Sequence, residues 1–488
     1  MLPGAVFHPP RNTGSWEWVI LLSLPGPSPK ITPSRSLRYT VLFIALLAGF
    51  ITPFDGSAVN IALPSISEEF HLDAVSLSWI STAYLLAAAI FLVPFGRIAD
   101  IYGRKRVFLY GIAVFTIASF LVTMVPTTAL LILARTLQGF GGALIYGTSI
   151  AILTSVFPPG ERGKALGINV TAVFVGLMAG PLLGGLLTDY FGWRSIFFVN
   201  IPLGIIVCLL IVTKLDGEWA ECAGESFDIT GSMLYAFSLI ALMYGFSEVP
   251  GTTGLVLIPL GLILGAVFVW YETRTPSPVL DMHLFSTNRV FTFSNLAALI
   301  NYSATYAITF LLSLDLQYTK GFSPEYAGLV LIIQPAAMAL VSPVAGRLSD
   351  RIDPQIVASA GMGLGAVGLF LLSFLSASTP LWYIVICLII FGAGLGLFSS
   401  PNINAIMSAV EKRQYGVASG MNGTMRVIGQ MLSMGIAMMI FALVLGRVEI
   451  TPEFYPEFLT SLRYAFYLFT ALSVLGIGAS LMRAKKPA

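Results

Sequence analysis

Fourteen long apolar stretches constrain the fold of this 488-residue chain more than any other feature. A helix needs about 20 mostly apolar residues to cross the roughly 30 Å hydrocarbon core of a bilayer. Closed β-barrels also span membranes, but their segments alternate in hydrophobicity, whereas these stretches are continuously apolar. The sequence therefore predicts an all-α polytopic membrane protein, with spans numbered 1 to 14 at 38–63, 77–97, 106–126, 129–153, 165–188, 195–213, 229–247, 254–272, 290–316, 324–345, 355–376, 381–404, 418–445 and 462–482.

The positive charges are unevenly distributed between the gaps that separate these spans. Twenty of the 26 Lys and Arg residues fall in one set of alternate gaps or at the termini, four fall in the other set, and two lie within spans. Cytoplasmic loops of membrane proteins carry the excess of Lys and Arg. The pattern predicts a multi-pass protein of the plasma membrane with both termini in the cytoplasm. No basic patch suggests nucleic acid as a partner.

A five-residue repeat indicates two related halves. Residues 96–100 read GRIAD after span 2, and residues 346–350 read GRLSD after span 10. The equivalent placement predicts two six-helix bundles in the same orientation, with spans 7 and 8 as an inserted hairpin. Such parallel repeats place a substrate site at the midplane between the halves. The predicted organisation is a cytoplasmic tail at 1–36, a bundle at 37–213, a loop, hairpin and linker at 214–289, a second bundle at 290–482 and a tail at 483–488.

The loop between spans 2 and 3 reads GRIADIYGRK over residues 96–105. Asp100 can accept hydrogen bonds from a facing helix N-terminus or a nearby Arg, and would so latch the two halves together on the cytoplasmic side. A loop that only sets topology would need neither Asp100 nor Gly103. The predicted gate residues are Gly96, Asp100, Gly103, Arg104 and Lys105, with Gly346 and Asp350 in the second copy.

Two charged residues lie within spans of the N-terminal half. Asp55 begins the segment DGSAVNIALP in span 1, and Arg135 begins RTLQGFGG in span 4. At 1.5 Å per residue, Asp55 lies about 14 Å from Pro64 and Arg135 about 10 Å from the end of its span. The two side chains can therefore lie at similar depth. A carboxylate inside a membrane is costly to keep ionised and marks a functional site by default.

We interpret Asp55 and Arg135 as a proton switch, in which the Arg stabilises the charged carboxylate when near and releases it when moved. The alternatives are a hydrated Asp at the external mouth and a structural Arg bound to backbone carbonyls. Asp315, near the outer end of span 9, is either a second coupling carboxylate or a hydrated mouth residue.

Span 5 contains the segment GLMAGPLLGG at residues 176–185. Its glycines allow close approach of neighbouring helices, and its proline removes one backbone hydrogen bond. The segment predicts a tightly packed helix near the outer gate, through Gly176, Gly180, Pro181, Gly184 and Gly185.

Together these motifs resemble the major facilitator superfamily, specifically its fourteen-span drug/proton antiporters of the multidrug efflux type. The patterns concerned are GxLADRxGRK, DxTxVNxALP, RxxQGxGxA and the antiporter signature GxxxGPxxGG. The resemblance covers roughly residues 38–482 and implies transport by alternating access. Ile101 departs from the usual basic residue, which removes one charge from the latch.

Further polar side chains within spans are candidates for the substrate cavity. Helix–helix hydrogen bonds are the alternative explanation for each of them. The candidates are Asn60, Gln138, Asn301, Tyr302, Tyr306 and Gln334.

The resulting hypothesis is a monomeric, proton-coupled exporter of small apolar or cationic compounds. It would use the proton gradient, with no cofactor, metal or ATP, since no GxxxxGK[ST] sequence is present. The acidic loop 214–228 is interpreted as a solvated connector. A symporter or uniporter of the same fold and a non-transporting sensor remain as alternatives. A membrane enzyme is disfavoured because that loop has no His or Cys pair with metal-ligand spacing.

The charge distribution predicts the accessibility of each loop. Cysteines introduced at 64–76 and 446–461 should react with impermeant thiol reagents applied to intact cells, and those at 98–105 and 214–228 should not. Labelling of 214–228 from outside would mean that an odd number of spans precedes this loop, and the fourteen-span topology would be wrong.

Overall fold

The computed structural model describes residues 35–158, 161–215, 217–280, 282–411 and 414–483. In this part of the chain the secondary structure is helical, with no strand, and 14 helices are long and apolar enough to cross a membrane. The predicted all-α fold is thereby confirmed. The terminal tails predicted at 1–36 and 483–488 lie almost entirely outside the described residues.

The helices follow the predicted spans in order. Spans 9, 10 and 13 each consist of more than one helical segment, and short helices at His283–Thr287 and Pro452–Phe454 precede spans 9 and 14. The spans are Arg35–Phe70, Ala74–Tyr102, Arg104–Met124, Thr128–Val156, Arg162–Phe191, Arg194–Lys214, Ile229–Glu248, Thr252–Glu272, Arg289–Thr305 with Ala307–Leu314 and a π-helical turn Asp315–Thr319, Pro324–Leu331 with Ile333–Ser349, Pro354–Leu372, Leu381–Ser408, Tyr415–Ile440 with a π-helical turn Phe441–Leu445, and Tyr455–Leu481.

Span 1 is longer than predicted. We expected it to end near Pro64, but the helix continues through Pro53 and Pro64 to Phe70. A proline removes one N–H donor, and in a packed transmembrane helix neighbouring groups compensate for that loss. Asp55 therefore lies near the middle of its helix.

The two bundles repeat one packing arrangement. Within the first, span 1 packs on spans 5 and 6, and span 4 on spans 2 and 3. Within the second, span 9 packs on spans 13 and 14, and span 12 on spans 10 and 11. Each contact in one bundle has its counterpart eight spans later. The five-residue repeat thus marks a repeat of structure.

The bundles contact each other through two equivalent seams. Span 2 packs on span 13, and span 5 packs on the first segment of span 10. Spans 1 and 9 also touch. We call the end of the molecule with the 96–105 and 214–228 loops the basic end, and the end with residues 71–73 and 320–323 the opposite end.

Close contacts between the bundles lie near the opposite end. Nε2 of Gln317 in span 9 donates to the carbonyl of Ile61 in span 1 at 2.9 Å. The backbone N–H of Ala74 donates to the carbonyl of Val448 at 3.0 Å. These bonds join the halves at the end remote from the 96–105 loop.

The span 5 glycines divide between two neighbours. Cβ atoms added at Gly176, Gly180 and Gly184 would collide with span 1, because these residues share one face of the helix. A Cβ at Gly185 would instead lie 2.5 Å from the carbonyl oxygen of Pro324 in span 10. The antiporter segment therefore packs span 5 inside its own bundle and against the other bundle.

The inserted hairpin lies beside the seam between spans 2 and 13. The Tyr235 hydroxyl donates to the carbonyl of Ala89 in span 2 at 2.9 Å. Met243 and Phe246 lie close to Gly435 in span 13. Span 7 thus contacts both bundles, while span 8 leaves large apolar side chains exposed, as expected of a surface that faces lipid.

Gly185→Ala should weaken closure of the opposite end, because the added methyl group collides with backbone that cannot rotate away. Closure is measured by the rate of disulfide formation between Ile61→Cys and Gln317→Cys in a background without other cysteines. We expect a several-fold slower rate.

The matched control is Gly167→Ala in the same helix, where an added Cβ meets nothing within 4 Å. Equal cross-linking rates in the two variants would show that close approach at Gly185 does not hold this end shut.

Candidate functional site

Asp55 lies at the centre of a buried polar cluster. Its carboxylate is fully buried and accepts three hydrogen bonds from side chains of spans 4 and 6. Nη1 of Arg135 donates to Oδ2 at 2.7 Å, while Nε2 of Gln138 and Nδ2 of Asn200 donate to Oδ1 at 2.9 and 2.8 Å. One charged donor and two amide donors favour the ionised carboxylate. The alternative that Asp55 is a hydrated residue at the external mouth of the protein is therefore excluded for this conformation.

Arg135 is equally enclosed, with 1% of its side chain exposed. Its guanidinium lies 4.6 Å from the ring centroid of Tyr84 and 5.7 Å from that of Phe197. Nε donates to the carbonyl of Ile80 at 3.3 Å, and Nη1 also reaches Oε1 of Gln138. Aromatic faces and acceptors together replace the water that a buried cation loses.

The sequence argument anticipated the Asp55–Arg135 contact but missed part of the cluster. Asn200 supplies one of the three donors, and Ser119 accepts a bond from Gln138 at 2.9 Å. Asn200 is the one strongly polar side chain in the apolar run of residues 196–203, and that isolation was the available signal. Gln138, predicted to line the substrate cavity, is bound into this cluster.

The second bundle faces the cluster through aromatic and basic side chains. A Cβ added at Gly56 would lie 3.5 Å from the hydroxyl oxygen of Tyr306 in span 9. The guanidinium of Arg426 in span 13 lies 5.3 Å from the ring centroid of Tyr146 in span 4. The glycine beside Asp55 thus leaves room for a side chain of the opposite half.

Asp315 has the opposite environment. It is fully buried at the start of the π-helical turn of span 9, and within the described part of the chain neither carboxyl oxygen has a hydrogen-bond partner. Lys320 is engaged elsewhere, since its amine donates to the carbonyls of three residues at 376–379. Burial of a carboxyl group without a counter-charge is costly for the ionised form and favours the neutral acid. Its environment excludes a hydrated mouth residue in this state.

The remaining cavity candidates make helix–helix contacts or are buried. Asn60 accepts a hydrogen bond from Ser81 at 3.1 Å, and Gln334 accepts one from Thr309 at 2.9 Å. Asn301 is buried with its amide nitrogen unpartnered, and Tyr302 packs against Gly429 of span 13.

The predicted gate loop is bound to the acidic loop that follows span 6. Nε of Arg104 donates to Asp100 at 2.7 Å, and its two terminal nitrogens donate to the two carboxylate oxygens of Glu221 at 2.9 and 3.0 Å. Arg97 pairs with Glu225. In this state Asp100 thus pairs with its own loop, while the latch predicted between the halves remains a prediction for another conformation.

Loop 214–228 is a docked segment, and our interpretation of it as a solvated connector is wrong. The N–H of Lys105 donates to Glu218 at 2.8 Å, and the N–H of Cys222 donates to the carbonyl of Asp100 at 2.9 Å. Gly103 has φ of +118°, and an added Cβ would collide with the Glu218 carboxylate. Only glycine combines that backbone conformation with this close approach. Burial raises the pKa of the Cys222 thiol.

Among the described residues, no equivalent clamp is seen at the second copy of the repeat. Asp350 is exposed at the end of its helix, and an added Cβ at Gly346 would touch only Ser400 of the same bundle. Gly96 lies inside the span 2 helix with nothing within 4 Å of an added Cβ. Neither a turn nor the close approach of another atom therefore requires a glycine at this position.

Two parallel six-helix bundles, with buried charges between helices and an inserted hairpin, define a secondary transporter fold. The Major Facilitator Superfamily profile matches residues 45–277 and 295–488. The chain belongs to this superfamily and is a multi-pass membrane transporter.

Related proteins include several exporters. The chain is 35% identical over 389 residues to the riboflavin transporter RibZ of Clostridioides difficile, covering 80% of this chain and 85% of the relative. It is 33% identical to the multidrug resistance protein Stp of Mycobacterium tuberculosis, covering 79% and 73%. It is 34% identical to the cephamycin export protein CmcT of Amycolatopsis lactamdurans, covering 82% and 84%.

Solved structures share the fold. A bacterial homologue of the human lysosomal transporter Spinster superimposes with a TM-score of 0.64 at 18% identity, covering 93% of this chain and all of that one. The nucleoside transporter NupG gives 0.60 at 16% identity, covering 92% and 100%.

Arg135→Ala should strongly destabilise the protein, since it leaves a buried carboxylate without its counter-charge. Breaking a buried pair by removing one partner costs roughly 3–5 kcal/mol. Thermal unfolding of the purified protein in detergent measures the loss. The double variant Asp55→Asn/Arg135→Gln removes both charges and should unfold at a higher temperature than Arg135→Ala alone.

The control is Arg447→Ala, which breaks a partly exposed pair with Glu248 at 2.6 Å. Exposed pairs contribute about 0–1 kcal/mol. If Arg135→Ala shifts the unfolding temperature no more than this control, the Asp55 cluster is not a tightly coupled unit.

Proposed function

We propose that this protein is a proton-coupled antiporter that exports small apolar or cationic compounds by alternating access. One observation carries the proposal: each bundle holds a fully buried aspartate. Asp55 is paired with a buried Arg, whereas the Asp315 carboxyl has no hydrogen bond to any described residue. A transporter without coupling would not need two intramembrane carboxyls in these contrasting environments.

Asp55 exchanges the proton by competition with Arg135. When the cluster is closed, the guanidinium and two amides hold the carboxylate in its charged form. A shift of span 4 relative to span 1 lengthens the Arg135 bond and allows a proton to replace it. Neutral Asp55 then leaves a free positive charge, which disfavours a cationic substrate in the adjacent cavity.

Asp315 links its protonation state to closure of the opposite end. Its π-helical turn contains Gln317, which bonds to span 1 at that end. Burial of Asp315 without a partner is tolerable only when it carries a proton. Opening of the opposite end hydrates the carboxyl and allows proton exchange with the solution there. Closure therefore follows proton binding.

The orientation of transport follows from the charge distribution. With the basic end in the cytoplasm, the described state is closed toward the outside, as required for loading a substrate from the cytoplasm. The clamp between loops 96–105 and 214–228 then belongs to the cytoplasmic side. The proposal places the protein in the plasma membrane with both termini inside, working as a monomer without ATP.

The substrate class is supported by relatives and by the residues near Asp55. Relatives named for multidrug resistance and for cephamycin export support export of small organic compounds. Tyr146 and Tyr306 of the two halves lie beside the cluster and suit flat or cationic compounds.

A second candidate is a symporter or uniporter of a nutrient-like solute. The relative named as a riboflavin transporter favours it. Riboflavin therefore belongs in the test panel beside ethidium, a cationic dye.

Asp55→Asn should abolish uphill transport driven by a pH gradient, because an amide cannot titrate. Transport of ethidium and riboflavin is measured in proteoliposomes at several imposed gradients. Asp315→Asn should mimic the protonated acid and slow net antiport several-fold, since it favours the closed opposite end.

The matched control is Glu248→Gln, which removes a partly exposed carboxyl paired with Arg447 and should leave the coupling to the pH gradient unchanged. Full coupling in both Asp55→Asn and Asp315→Asn would contradict proton antiport through these groups. Transport that follows only the substrate gradient in the unmodified protein would favour the uniporter.

A further inference from the structure

Two carboxyl groups meet in a buried position at the base of the inserted hairpin. Asp228 is the N-cap of span 7, and Glu272 is the last residue of span 8. Their residues are 9% and 2% exposed. This pair lies on different helices from Asp55 and Asp315 and takes no part in the proposed coupling.

The two acids direct one oxygen each toward the other. A Cβ added at Gly231 would collide both with Oε1 of Glu272 and with Oδ2 of Asp228, which places these oxygens around one small space. Neither of these two oxygens has a hydrogen-bond partner among the residues that the structure describes. Two ionised carboxylates in such proximity would repel each other strongly in a site without water.

The other two oxygens are already occupied by backbone donors. The N–H of Gly231 donates to Oδ1 of Asp228 at 2.9 Å, and the N–H of Leu280 donates to Oε2 of Glu272 at 2.8 Å. The titratable neighbour Tyr271 reaches Oδ1 of Asp228 at 3.4 Å, while the cation Arg274 stacks on Trp270.

We propose that Asp228 and Glu272 form a proton-binding site, in which one shared proton supplies the missing hydrogen bond between their unpartnered oxygens. A metal ion fits less well. Calcium takes six to eight oxygen ligands, whereas two of the four oxygens here face N–H donors that would repel a cation. A proton needs only the two facing oxygens.

The site fastens the connection between the two halves. Asp228 ends the acidic loop that is clamped to loop 96–105, and Leu280 lies in the linker toward span 9. A proton between the acids holds the start of span 7, the end of span 8 and this linker together. Loss of the proton should loosen the linker and let the hairpin separate from it.

Glu272→Gln tests the site, because its amide can donate permanently to Asp228 and can still accept from Leu280. Thermal unfolding of the purified protein is followed from about pH 5 to pH 9. Exposed carboxyl groups are already ionised over most of this pH range. The folded protein should lose stability as the pH rises and the shared proton leaves. We expect the fall in unfolding temperature between these two pH values to be about half as large in Glu272→Gln as in the unmodified protein, or smaller.

Infrared spectroscopy gives an independent readout. The carbonyl band of protonated carboxylic acids should lose intensity in the unmodified protein as the pH rises, and this loss should be smaller in Glu272→Gln, in which any contribution from Asp315 remains. Asp228→Asn provides a second variant should the first fail to fold. Glu248→Gln, an acid in a more exposed pair, is the control that should behave as the unmodified protein.

Parallel pH curves for Glu272→Gln and the unmodified protein would overturn the shared proton. Stabilisation of the unmodified protein by calcium or sodium at fixed pH, lost in Glu272→Gln, would assign the site to a metal ion. Neither readout depends on transport, so failure of the proposed antiport would leave this test intact.

Discussion

The cost of placing charge inside a membrane governs this structure. Asp55 and Arg135 are tolerated because each neutralises the other and because amides, carbonyls and aromatic faces satisfy what remains. Spans 1, 4 and 6 are held in register by these bonds. Removing one partner would leave the other charge buried without compensation, and the proposed antiport mechanism depends on this sensitivity.

Close packing at the opposite end complements this buried charge. Gly185 and Gly328 bring spans 5 and 10 into backbone contact, and Gln317 ties span 9 to span 1. Asp315 is fully buried two residues before Gln317 in the same π-helical turn. In the proposed mechanism, closure of this end and protonation of Asp315 therefore depend on each other.

Much of this arrangement could be predicted from the sequence. Continuous apolar stretches determined the spans, and the two copies of the GRxxD segment indicated two related halves, between which the helix contacts repeat. Counting residues along the helices correctly suggested that Asp55 and Arg135 lie at similar depth. Local patterns suffice for such features because helix rise and membrane thickness are fixed.

Other features depend on contacts that no local pattern encodes. Glu221 pairs with Arg104 across 117 residues, and complementary charges alone do not say which loop docks on which. Asn200 joins the Asp55 cluster from a different motif, and span 1 continues past Pro64 because its neighbours compensate for the lost hydrogen bond. The burial of Asp315 without a hydrogen bond to any described residue likewise results from the packing of the helices.

The most direct test of proton coupling is proton release on binding of a transported compound to the purified protein. In weakly buffered detergent solution over a range of pH, ethidium or riboflavin binding should release protons from those unmodified molecules in which Asp55 is protonated, and the release should be lost in Asp55→Asn while binding persists. Proton release of the same size in Asp55→Asn, or its absence from the unmodified protein, would contradict exchange of the proton at Asp55.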